Sequence, residues 1–272
     1  MASPFKKRRR AEFPLWLLAL GLLGVVVLWL ILSNAGYAEI IVVLSRGIVT
    51  TLWVTGVAFV LACVLGLIVA IARTSRFYVL RQIAMFYVEL IRGIPILVFL
   101  FYVAFVGAPW LVTAINFVIA PAVALGWLDA LTIRELDFTW RAVFALTVCY
   151  SSFIAEIFRA GIEAVDRGQI EAARALGLKN RHVFRFIVAP QALRTILPPL
   201  GNDFVSMIKD SALVSALGVQ DITQIGKVYA AGSFKFFETY NVVAFLYLTM
   251  TISLSLLVRL LERHLKRGSH RD

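Results

Sequence analysis

The stretch EAARALGLKNRHVFRFIVAP, residues 171–190, decides how this chain folds. It carries Glu171, Arg174, Lys179, Arg181 and Arg185 between two runs apolar enough for a bilayer. Charged side chains are costly in hydrocarbon, so the chain must leave the membrane here and re-enter it. Within the stretch, Ala172, Ala173 and Ala175 favour helix. Asp166 stands where an N-cap belongs, and Glu171 lies early, where a negative charge suits the helix dipole. Gly177 falls where the helix should end, since glycine accepts the left-handed conformation of a C-cap. A second short helix is expected over residues 181–188, stopping at Pro190. The expectation is a helix, a glycine break and another helix, held at one face of a membrane.

The rest of the chain supplies the membrane part. Of 272 residues 61% are hydrophobic, and the mean hydropathy is +0.87. Crossing a bilayer takes about 20 apolar helical residues. Uncharged or nearly uncharged runs of that length lie at 13–32, 47–72, 82–106, 139–161, 197–218 and 240–261. These give an all-α membrane protein with six transmembrane helices. A seventh run, 110–127, is also uncharged but contains Pro121. The positive-inside rule decides against counting it as a span. With six spans, Lys6, Lys7, Arg8, Arg9, Arg10, Arg73, Arg76, Arg81 and the basic residues of 159–194 and 259–271 share one side. The opposite side holds only Arg46, Arg134, Arg141, Lys227 and Lys235. A seventh span would reverse that bias. Residues 107–138 are therefore expected as an outer hairpin, 162–194 as a cytoplasmic loop, and both termini as cytoplasmic. The formal charge of +11 is explained by topology rather than by nucleic-acid binding. Cys63 and Cys149 lie in apolar runs and give no disulfide frame, and the scattered histidines give no metal spacing.

Beyond composition, one spacing is specific. EAA, three residues, Gly177, nine residues, Ile187, one residue, then Ala189 and Pro190 resembles the cytoplasmic signature of ATP-binding cassette importer permeases. The usual pattern has leucine where Ala189 stands. The segments YVELIRGIPILV (87–98), LPPLGNDFVSMIKDSALVSALGVQDI (197–222) and LVRLLERHLKR (257–267) are similar to permeases for polar amino acids. The resemblance implies a five-helix permease core within 47–267. Residues 1–46, with their extra first helix, are then an addition, and 268–272 a tail. It implies that the loop is a coupling helix seated in a cleft of an ATPase subunit, with Glu171, Ala172, Ala173, Gly177 and Pro190 as the matching positions. It further implies a bacterial cytoplasmic (inner) membrane setting, a second permease subunit of the same or a related chain, and an extracytoplasmic amino acid-binding protein. No cofactor is expected on this chain: it has no phosphate loop of the G-x-x-x-x-G-K-[ST] type. ATP and Mg2+ belong to the partner ATPase subunits. The competing reading is a secondary transporter driven by an ion gradient, with span-five carboxylates as ion sites; it leaves residues 171–190 without a role.

Ionisable residues inside spans are candidates for the transport path. Glu89 and Arg92 are three apart, as are Glu156 and Arg159, so each couple shares a helix face and can pair. Both couples are expected near the cytoplasmic boundary. In span five, at 100° per residue, Asn202, Asp203, Ser206, Lys209 and Asp210 fall within one sector. They form a zwitterion-compatible path, or else a buried network in which Lys209 neutralises an aspartate. The family resemblance adds Ser211, and a KD-plus-hydroxyl sequence shared across different substrates implies a shared structural or gating role, rather than substrate selection, for Lys209, Asp210 and Ser211.

Overall fold

The computed structural model describes residues 15–267 of the backbone. The basic N-terminal residues 6–10 and the tail 268–272 lie outside the described residues. The described chain is mostly helical: α1 (Leu15–Ser33), α2 (Ala35–Arg73), α3 (Tyr78–Gly93), α4 (Ile96–Ala124), α5 (Phe138–Glu163), α6 (Arg167–Ala175), α7 (180–210), α8 (Ile222–Ser233) and α9 (Phe236–Arg267). A 3-10 segment, Ser211–Leu217, follows α7. Among the described residues, four helices are long and apolar enough to cross a membrane: α2, α4, α5 and the Phe236–Glu262 part of α9. Only Gly21–Ile31 of α1 counts as a shorter apolar helix. The expected fifth span lies in α7, which falls outside that criterion; it carries Arg194, Asp203, Lys209 and Asp210.

A seam of small residues positions everything else. Val54, Ala58 and Ala62 of α2 are fully buried against Ala142, Ala145, Leu146 and Ile154 of α5. Small side chains let two helices approach closely, which drives helix association in lipid. At the next turn a Cβ on Gly66 would stand 3.0 Å from the Ser151 carbonyl and 2.9 Å from Ile154 Cγ2. The backbones are thus as near as the chain permits.

Three proline effects shape the remaining helices. The expected third span, 82–106, is broken in its middle: α3 ends at Gly93, and α4 begins at Ile96 with Pro95 as its N-cap. The Tyr87 hydroxyl contacts Ser151 Oγ at 2.7 Å and donates to the Val148 carbonyl at 3.1 Å. This holds the middle of α3 against the middle of α5. In α4 a π turn, Val103–Gly107, precedes Pro109. Proline donates no N–H, and the Ala104 carbonyl that the π register would pair with it accepts from Arg141 Nη1 instead, at 3.3 Å. The helix then continues to Ala124, so the outer segment 107–138 is a helical arm followed by a return strand of chain. Asn116 ties the two, donating to the Leu131 carbonyl and accepting from the Leu131 N–H, both at 2.8 Å. The same device recurs in α7, where a π turn, Phe184–Val188, precedes Pro190. The second loop helix therefore does not stop at Pro190, as the sequence reading expected. It runs on without interruption to Asp210, because the π turn places the proline where no N–H is required.

Filling the α2–α5 seam should separate the two helices. Gly66→Leu is expected to destabilise the protein by about 1–3 kcal/mol through overpacking. Thermal unfolding of the detergent-purified chain would show it as a lowered midpoint, with Gly56→Leu, which faces open space, as the neutral control.

Candidate functional site

The charged loop between α5 and α7 forms as its residues dictate. Asp166 caps α6, its Oδ1 accepting from the Gly168 N–H at 2.6 Å. At the other end Gly177 has φ +80. Its N–H donates to the Arg174 carbonyl at 2.9 Å, and the Leu178 N–H donates to the Ala173 carbonyl at 3.2 Å. This is the paired closure of a Schellman motif, which needs a left-handed residue between the two bonds. The helix face divides accordingly. Ala173 is buried with Val165, Val183, Val188, Ala192 and Ile196, while Glu171, Ala172, Gly177 and Pro190 are exposed. Leu176, which the motif reading passed over, is 81% exposed beside Gly177.

The polar stripe of α7 splits in two. Asp203, Ser206 and Asp210 line a cavity of about 230 Å³, closed by Ile96, Tyr150 and Phe153. The Tyr150 hydroxyl donates to Asp210 Oδ2 at 2.6 Å. The Oδ2 of Asp203 is buried and has no hydrogen-bond partner. Asn202 and Lys209 lie exposed. Lys209 forms no ion pair with either aspartate, so the network in which it neutralises one is not what the structure contains. Ser211 is fully buried and donates to the Ile208 carbonyl at 2.7 Å; it holds the start of the 3-10 segment rather than lining the cavity.

The two charged couples also part company. Glu156 accepts from Arg159, with Nε at 3.1 Å, and from Arg73 at the end of α2. Arg159 in turn pairs with Glu163. The expected Glu156–Arg159 pair is therefore present, inside a larger ladder. Glu89 and Arg92 are both exposed and do not pair with each other. The guanidinium of Arg92 lies 5.4 Å from the centre of the Phe153 ring instead. They stand just before the Pro95 break. Sequence periodicity could pair residues within a helix; the Tyr150–Asp210 and Arg73–Glu156 contacts join different helices and left no local signal. The tyrosine in an apolar span was the one hint available, since a buried hydroxyl needs a partner.

Broken and charged helices lining a polar cavity, with a capped, exposed loop at one end, define a membrane-embedded transport subunit. Residues 62–267 match the family of binding-protein-dependent transport system inner membrane components, and the chain belongs to that family. It is 34% identical over 224 residues to the probable amino-acid permease YxeN of Bacillus subtilis, covering 82% of this chain and 92% of that one. It is 33% identical to the glutamine transport system permease GlnP of Escherichia coli, covering 82% and 93%. A solved structure of an amino acid ABC transporter with histidines superposes with TM-score 0.69 at 33% identity, covering 86% of this chain and 97% of that chain. The methionine transporter MetNI in an inward-facing form shares the fold, with TM-score 0.61 at 21% identity.

Tyr150→Phe leaves Asp210 Oδ2 without its donor and should cost about 1–3 kcal/mol of stability. Asp210→Asn keeps an acceptor for Tyr150 and should melt closer to wild type while transport is lost. Thermal unfolding and uptake measured on both variants would separate the structural from the transport role of this contact.

Proposed function

We propose that this chain is the permease subunit of an ATP-driven amino acid importer and that residues 166–190 couple it to ATPase subunits. The observation that carries the coupling is the continuity of α7. The docking face around Leu176 and Gly177 packs through Ala173 onto the first turns of a helix that ends, unbroken, at the cavity. Movement of the loop is therefore movement of Asp203, Ser206 and Asp210. ATP and Mg2+ bind on the ATPase subunits, whose closure selects one of two arrangements of these helices. A second permease subunit, identical or related, completes the path against the exposed face bearing Asn202 and Lys209. An extracytoplasmic binding protein delivers substrate at the opposite side.

The amino acid class is supported by the relatives' names and by the charges around the cavity. Asp203 offers an unpaired carboxylate to an ammonium group. The positive partner for a substrate carboxylate is Arg92, which lies over the cavity-lining ring of Phe153, rather than the outward-turned Lys209. An ion-gradient transporter could use the same carboxylates but has no use for a docking face at Leu176.

Purification of the chain from its own membranes in mild detergent tests the coupling. An ATPase subunit should accompany the wild type and be lost with Gly177→Asp, which places a side chain where φ is +80. Leu176→Asp should weaken the association by at least about tenfold, since burying a leucine contributes about 1.5–3 kcal/mol. Undiminished co-purification of the ATPase with both variants would exclude this loop as the docking element.

A further inference from the structure

The ladder at the inner end of α5 has a member that lies outside the loop and the cavity. Arg73 is the last residue of α2, and its side chain is only 12% exposed. Its guanidinium reaches Glu156, which is shared with Arg159, and Arg159 passes on to Glu163. Glu163 is the last residue of α5, three before Asp166, the cap of α6. Val165, between them, is buried in the same cluster as Ala173. The loop, the inner end of α5 and the end of α2 are thus joined by one packed cluster and one chain of charged hydrogen bonds. Such bonds are the stronger, geometrically specific kind.

At its other end α2 is tied with equal care. Asp221 is fully buried. Its Oδ1 accepts from the Gln224 N–H at 2.8 Å, and its Oδ2 accepts from the Tyr247 hydroxyl of α9 at 3.0 Å. The neighbouring Ile222 N–H donates to Thr51 Oγ1 of α2 at 3.4 Å, where α8 presses against Gly47 so closely that a Cβ there would meet the Ile222 nitrogen at 2.5 Å. From Arg73 to Gly47 is about 39 Å along an unbroken helix rising 1.5 Å per residue. α2 is therefore a rod with a charged grip at the inner end and a backbone-close grip on α8 at the outer end.

We propose that Glu156 and Arg73 are positioning residues that make α2 move with the coupling loop, so that ATPase closure is delivered through α2 to α8 at the outer face. This rests on the coupling role proposed above and adds a second route, separate from the one along α7 to the cavity. Without the Arg73–Glu156 link the loop can still dock and the ATPases can still turn over. What is lost is the grip by which the movement of the loop reaches the inner end of α2.

The test uses the assembled transporter in lipid vesicles, with Cys63 and Cys149 replaced by alanine. Spin labels at Ser45, on the outer part of α2, and at a matching position of the second permease subunit report a distance that the α2–α5 seam does not fix and that needs no knowledge of the substrate. In the otherwise unmodified transporter, adding ATP with vanadate should shift that distance. Glu156→Gln should abolish the shift while ATPase association and ATP hydrolysis persist. Uptake of labelled L-glutamine, L-arginine or L-cystine per ATP hydrolysed should fall by roughly 2- to 30-fold, the span of coupling effects measured for residues between sites. Arg73→Gln should behave alike, and the double variant no worse than either single one; this second variant carries the test if Glu156→Gln fails to assemble. A full shift with an unchanged uptake-to-ATP ratio in the variants overturns the proposal and leaves the coupling loop standing. Absence of any ATPase, or of any nucleotide effect, with the unsubstituted pair overturns both.

Discussion

The close approach of α2 to α5 is the constraint on which the other arrangements depend. Lipid offers no hydrophobic gain for bringing two apolar helices together, so contact must come from packing at short range. Val54, Ala58, Ala62 and Gly66 recur every four residues and leave one side of α2 nearly flat against α5. That flat seam fixes the rotation and height of α5. The Tyr150 side chain then meets Asp210 on α7, and Glu156 meets Arg73 at the end of α2. Shift the seam by one residue and both contacts are lost together.

The prolines do different work in different places. Pro95 separates α3 from α4 at mid-depth and sets the first residue of the new helix, Ile96, against the cavity. Pro109 and Pro190 each follow a π turn and interrupt nothing. The Ala104 carbonyl released by the first of these is taken up by Arg141, whose remaining nitrogens hold the Leu136 and Ile133 carbonyls at 2.8 Å. One arginine thus converts a helix irregularity into the fastening of the outer return segment. At Pro190 the consequence is mechanical: the loop and the cavity-bearing helix are one piece.

Much of the site was legible because its rules are local. Asp166, the alanines and Gly177 specify a capped nine-residue helix with no help from the rest of the chain. The stripe on α7 was legible as a stripe, since periodicity places residues on one face. It could not show that the stripe straddles an edge, with Asp203, Ser206 and Asp210 turned into a cavity and Asn202 and Lys209 turned away. Nor could it show that Glu89 and Arg92 go unpaired while Glu156 acquires a second arginine. Those outcomes depend on which neighbour lies within reach, and the neighbours are 50 or more residues away in the chain.

The sequence by itself determined a helical membrane protein, the caps of its charged loop and the residues able to carry charge within its apolar helices. Each follows from hydropathy, hydrogen-bond stereochemistry or the conformational freedom of glycine, and each acts over a few residues. Only the tertiary structure decided that α7 passes through Pro190, that α8 exists and grips α2 through Asp221 and Ile222, and that Arg73 completes the ladder. These are contacts between separate helices, whose energies depend on the height and rotation at which the small-residue seam sets them. No local pattern encodes that height.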